Sequence, residues 1–113
     1  MGIFSDMFRK KKGPRINPEM AKRTKELYPL GSIVLLKGGE HKLIITGIFQ
    51  NKVEDPEKTY DYCGVPWPEG NMADEHNYLF FHENIARLVS RGYEDAEYKA
   101  YIDVIVGFWM GKR

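Results

Sequence analysis

A chain of 113 residues with 17 basic and 16 acidic side chains carries a formal net charge of +1, so no overall field directs it to nucleic acid or an anionic membrane, and its length suits one domain. A single cysteine, Cys63, excludes an internal disulfide and gives no metal cluster, in keeping with a reducing cytoplasm. No segment approaches the roughly 20 apolar residues that span a bilayer, and the apolar residues near the start precede the basic cluster, unlike those of a secretory signal.

Residues 1–15 form a basic amphipathic segment, in which Ile3, Phe4, Met7 and Phe8 precede Arg9-Lys10-Lys11-Lys12. A helix would place the four apolar side chains on one side and suit docking to a protein or a membrane surface; a partly ordered terminus with solvated charges is the other reading. Asp6 stands where a myristoylation signal needs Ser or Thr. Residues 16–113 read as a single α+β domain.

Asn17-Pro18-Glu19 has the order of a helix start, with an N-cap, a proline in the first turn and an early carboxylate, and the helix should run to about Leu27 before Pro29 stops it. Ile33–Leu36 and Leu43–Phe49 flank Gly38-Gly39-Glu40-His41 and predict a β-hairpin. Both strands are apolar on both faces, so the hairpin is expected to line a small curved sheet and to be covered outside. Asn51–Lys58 reads as a polar loop, Thr59–Val65 as a third strand, and Pro66–Glu75 as a long loop carrying Trp67 between two prolines. His76–His82 reads as a fourth strand, followed by a helical turn over His82–Ala86 and a fifth strand to about Gly92. Glu94-Asp95 should open a final helix in which Tyr98, Tyr101, Ile102, Ile105 and Trp109 recur at three- and four-residue spacings, facing the outer side of the hairpin. The expected fold is α+β: a five-stranded antiparallel SH3-like barrel or curved sheet with flanking N- and C-terminal helices.

Chemistry is sparse. His76 and His82, with Asp74 and Glu75 nearby, are the obvious candidates to hold a metal or act in a small hydrolase, but two histidines about 20 Å apart on one strand cannot share an ion. Cys63 lacks a basic neighbour to activate it, and Lys37-Gly38-Gly39 lacks the spacing of a phosphate loop. The expectation is therefore no enzyme, no metal and no cofactor. Trp67 is either an interface anchor or a plug for the bottom of a small barrel. The last helix is apolar on nearly every side, which leaves Val104 and Phe108 in water unless a partner helix or a second subunit, as in a homodimer, covers them. Trp67, Pro68, Glu69, Val104, Phe108 and Trp109 are the expected partner-binding residues. A nucleic-acid-binding role would use Arg9 to Lys12, Arg15, Lys22 and Arg23 with aromatics stacking on bases, against which the near-neutral charge argues.

The motifs YPLGSIVLLKGG, KLIITG, DYCGVPWPEG, DEHNYLFFHENI and RGYEDAEY, taken in order, resemble the small Gram-positive bacterial proteins grouped as the domain of unknown function numbered 4176, across roughly Leu27 to Tyr98. The resemblance implies a protein encoded beside type VII secretion genes and their LXG toxins. It further implies a cytoplasmic accessory or targeting factor, without catalytic activity, that binds a toxin or its small helical partners and is itself retained or co-exported. The family's characteristic positions map onto Tyr28, Pro29, Gly31, Tyr62, Gly64, Pro68, Glu69, Gly70, Asp74, Glu75, Gly92 and Tyr93, whereas Trp67 occupies a variable spot. The basic start and the apolar end lie outside the clearest match.

Overall fold

The computed structural model describes residues 16–111; the basic amphipathic segment 1–15 read from the sequence lies outside the described residues. The chain forms two compact units, a helical one up to Leu27 and from Glu94 onward, and a sheet unit over Tyr28–Tyr93.

In the helical unit, α1 (Pro18–Glu26) begins as its sequence predicts: the Asn17 side chain accepts from the Met20 N–H, Pro18 fills the first turn, and Glu19 and Arg23/Lys25 complement the two ends of the dipole. α2 (Ala96–Trp109) is capped the same way, the Asp95 carboxylate accepting from the Tyr98 N–H at 2.9 Å. The helices pack on each other. Their buried faces carry Ala21, Thr24 and Leu27 on one side and Ile102, Ile105 and Trp109 on the other. Thr24, a polar residue within that face, satisfies its hydroxyl by donating to the Met20 carbonyl one turn back. An antiparallel bridge between Ile16 and Met110, with the Asn17 N–H donating to the Trp109 carbonyl, ties the start of α1 to the end of α2.

The sheet unit holds β1 (Ile33–Leu36), β2 (Lys42–Lys52), β3 (Asp55–Pro66), β4 (Tyr78–Phe80) and β5 (Ile85–Ser90) in the order β4-β3-β2-β1-β5, all antiparallel. This is the predicted SH3-like strand order, realised as one curved sheet with β4 and β5 at its edges. The short helical turn expected before β5 is present at His82–Asn84. Val34, Leu43, Ile45, Tyr62 and Phe80 share one face and are buried, the pairs Val34↔Leu43 and Tyr62↔Phe80 lying side by side across strands. Ile33, Leu35 and Ile44 on the opposite face are half-buried, so the two faces of the hairpin are unequal.

Two expected boundaries are corrected. Asn51–Lys58 is not a loop: β2 and β3 continue to a Lys52↔Asp55 pair around a turn at Val53-Glu54. The polar residues are accommodated because the Asn51 amide group donates to the carbonyls of Pro56 and Lys58 and to the Thr59 hydroxyl. Pro56 costs no ladder bond on its other side, since β4 pairs only with Tyr62–Gly64. The fourth strand is shorter than His76–His82, with both histidines in helical turns at its ends. Within β2, register shifts accompany Phe49 at φ 54°, a left-handed conformation that costs a non-glycine residue about 1–2 kcal/mol and is offset by burying its ring.

The chain enters and leaves the sheet unit at one close crossing. Ser32, fully buried, accepts the Gly92 N–H through its hydroxyl at 2.9 Å, and a Cβ on Gly92 would collide with the Leu30 carbonyl oxygen and the Ser32 nitrogen. Because both obstacles are backbone, neither can swing aside. Gly92→Ala is therefore expected to cost about 3 kcal/mol or more in urea denaturation, or to prevent folding; a loss under about 1 kcal/mol would show that the crossing is loose.

Candidate functional site

β3 delivers the chain into a turn, Pro66–Gly70, that carries Trp67. The Trp67 N–H donates to the Lys42 carbonyl at 2.8 Å, the Gly70 N–H returns to the Pro66 carbonyl at 2.7 Å, and Gly70 takes the positive φ of 81° that closes the turn. A side-chain bond, His41 Nε2 to Glu69 Oε1 at 2.9 Å, fastens the turn to the end of the β1–β2 connection. The hydrogen bond from His41, with a further one from the backbone of Glu69 itself, holds the Glu69 carboxyl below its ordinary 4.5. Trp67 is 39% exposed, with Pro68 and Glu69 exposed beside it. The arrangement presents a large ring on a backbone fixed at several points, a form suited to contact with little ordering cost.

On α2, Tyr101, Val104 and Phe108 follow one another along a single face, with Val104 65% exposed and Phe108 half-buried. Trp109, included among the expected contact residues, is 2% exposed and belongs to the buried stripe with Ile102 and Ile105; the Phe108 ring meets it edge-on at 5.2 Å. Tyr101, expected to face inward, is instead exposed. Residues 101, 104 and 108 trail 102, 105 and 109 by one position, which is about 100° around a helix, and an all-round apolar sequence does not reveal which stripe is inside.

The histidine–carboxylate grouping is dispersed. His82 Nδ1 bonds the Tyr62 hydroxyl at 2.7 Å and its backbone N–H donates to Asp61 Oδ2 at 2.8 Å, so this residue serves the sheet. The Tyr62 hydroxyl also accepts the Tyr28 N–H at 2.9 Å, and the rings of Tyr28 and His82 stand 4.9 Å apart. His76 closes the helical turn Asp74–His76, and Glu75 is exposed. No group of three His, Cys, Asp or Glu side chains among the described residues is placed to hold a metal ion. Cys63 is half-buried with the Thr46 hydroxyl 3.6 Å from its sulfur. Of the basic residues considered for nucleic acid, Lys22 is exposed and Arg23 half-buried on α1, and the rest lie outside the described residues.

One feature escaped the sequence reading. Tyr60 and Phe81 bring their rings to 4.9 Å, with the Lys58 ammonium 5.1 Å and 5.6 Å from the two centroids and Lys52 5.6 Å from that of Tyr60. With Asn51–Lys58 read as a polar loop, the sequence gives no reason to bring Lys52 and Lys58 to the Tyr60 and Phe81 rings.

Two measurements test these geometries. Tyr62→Phe leaves the part-buried Tyr28 N–H and the His82 nitrogen without their oxygen and should cost about 1–3 kcal/mol in chemical denaturation. His41→Ala should raise the Glu69 carboxyl toward 4.5 in an NMR titration. Because the folded-state value is depressed, the contribution of this contact to stability is present above 4.5 and fades as pH falls through the lowered value, so the two proteins should differ at neutral pH and converge in acid.

A family model described as Domain of unknown function (DUF4176) matches residues 27–100. No curated protein and no solved structure shows a significant match.

Proposed function

The chain belongs to the DUF4176 family of domains of unknown function, and from that premise we propose that it is a non-enzymatic adaptor that binds a secreted LXG-type toxin, or that toxin's small helical partners, in the cytoplasm before type VII export. The observation that carries this reading is the Trp67 turn, a large aromatic held outward by backbone bonds to Lys42 and Pro66 and by the His41–Glu69 contact. Buried tryptophans at interfaces are commonly worth about 2 kcal/mol or more, so one such residue supplies about a quarter of a micromolar affinity. The Tyr101–Val104–Phe108 stripe offers a second apolar surface, and its spacing is that of a helix laid against another helix. This stripe lies beyond the residues that the family model matches, which suits a contact that differs from one toxin to the next.

A second reading has one observation in its favour. The Tyr60–Phe81 pair with Lys52 and Lys58 could stack a base and meet a phosphate, as single-strand binders do.

Calorimetry with the purified helical region of an LXG-type toxin tests both. The adaptor reading expects binding that Trp67→Ala and Val104→Glu each weaken about 30-fold or more, with circular dichroism unchanged. Equal binding by wild type and both variants would sink it. So would salt-sensitive binding of a single-stranded oligonucleotide, lost in Lys58→Glu, with no affinity for the helical protein.

A further inference from the structure

The exposed charges around the Trp67 turn say what kind of side chain it receives. Glu69 stands two positions after Trp67, exposed like it, and binds His41 through Oε1 at 2.9 Å. Glu40 precedes His41 and Glu75 precedes His76, and both are exposed carboxylates. Resting on the reading of this turn as a recognition site, we propose that it receives a basic side chain of the partner, arginine before lysine, laid on the Trp67 ring with its charge against the Glu69 carboxylate.

Charge is left over for such a guest. A neutral imidazole supplies the N–H that His41 needs for its bond, so the contact does not by itself cancel the carboxylate. The hydrogen bonds that Glu69 receives from His41 and from its own backbone, with His76 nearby, keep its carboxyl below 4.5 and ionised at neutral pH. A carboxylate has about four acceptor sites, and these bonds leave room for a guanidinium N–H. Lys42 enters β2 beside the turn, and Lys37 lies at the far end of the β1–β2 connection, where its N–H meets the Asn84 carbonyl. Glu40, Glu69 and Glu75 outnumber them at this end of the sheet.

The ring supplies the second half. Indole is the best cation–π partner among side chains, and a planar guanidinium stacks on it while pointing its N–H groups sideways to an acceptor. Trp67 is 39% exposed, and bonds to the Lys42 and Pro66 carbonyls close its turn, so little ordering is required of it. The same carboxylates disfavour an acidic partner surface or a nucleic-acid phosphate at this turn.

Nuclear magnetic resonance of the full-length chain tests this with a blocked leucine-arginine-leucine peptide and its citrulline counterpart, which keeps the shape and loses the charge. The arginine peptide is expected to shift the Trp67 indole N–H and the Gly70 amide, and to bind about fivefold or more tighter than the citrulline peptide. Glu69→Gln keeps an oxygen for His41 while removing the charge, and should abolish that difference; Trp67→Leu should remove the shift at Gly70. Equal binding of the two peptides, a difference that survives Glu69→Gln, shifts confined to another part of the chain, or no shift at all overturns the proposal. Failure of the adaptor reading is distinguishable, since a toxin that does not bind leaves the peptide result untouched. A toxin bound equally by wild type and Glu69→Gln overturns the basic side chain and spares the adaptor.

Discussion

The sheet unit depends on the hydroxyl of Tyr62. It accepts the Tyr28 N–H where the chain enters the unit and bonds His82 at the corner where β4 gives way to β5, while the adjacent Asp61 carboxylate takes the His82 N–H. β3 thereby holds both the entrance and the corner, which a three-residue β4 could not do by ladder bonds alone. Tyr62 and Asp61 are buried and Tyr28 and His82 half-buried, so the arrangement contributes because the buried members are satisfied. The Ser32–Gly92 crossing does the same for the exit. Gly64 fits this scheme too, because a side chain there would press on the Phe80 ring and the Ile44 carbonyl.

These contacts belong to the fold and not to the exposed Trp67 turn. Tyr28, Gly31, Tyr62, Gly64 and Gly92, all positions that carry the family resemblance, are occupied with holding the sheet. Pro68, Glu69 and Gly70 differ: they shape an exposed turn that carries Trp67. An aromatic carried on a turn fastened to a rigid sheet suits the recognition role proposed above. The stripe on α2, outside the matched residues, follows the same logic in the other unit.

The strand order was legible because its signals are local: Gly38 for the hairpin turn, Pro66 and Pro68 closing β3, and an N-cap before each helix. What the sequence hid were matters of pairing. Asn51 looks like a loop residue until its amide is seen bridging Pro56, Lys58 and Thr59, which keeps a polar hairpin in register. His82 looks like a ligand until it is found bonded to Tyr62, twenty positions away. The inner stripe of α2 could not be chosen from its sequence, since Val104, Ile105, Phe108 and Trp109 are equally apolar, and only packing placed Trp109 inside and left Val104 outside.

The central claim is that a partner is recognised by the Trp67 turn and the α2 stripe. Hydrogen–deuterium exchange of the full-length protein, with and without the helical region of an LXG-type toxin, tests it directly. The account predicts added protection at the amides of Trp67, Glu69 and Gly70 and along residues 101–108, with the strands around Tyr62 unchanged. Protection confined to the Lys52–Lys58 hairpin or to β5, or none anywhere, would contradict it.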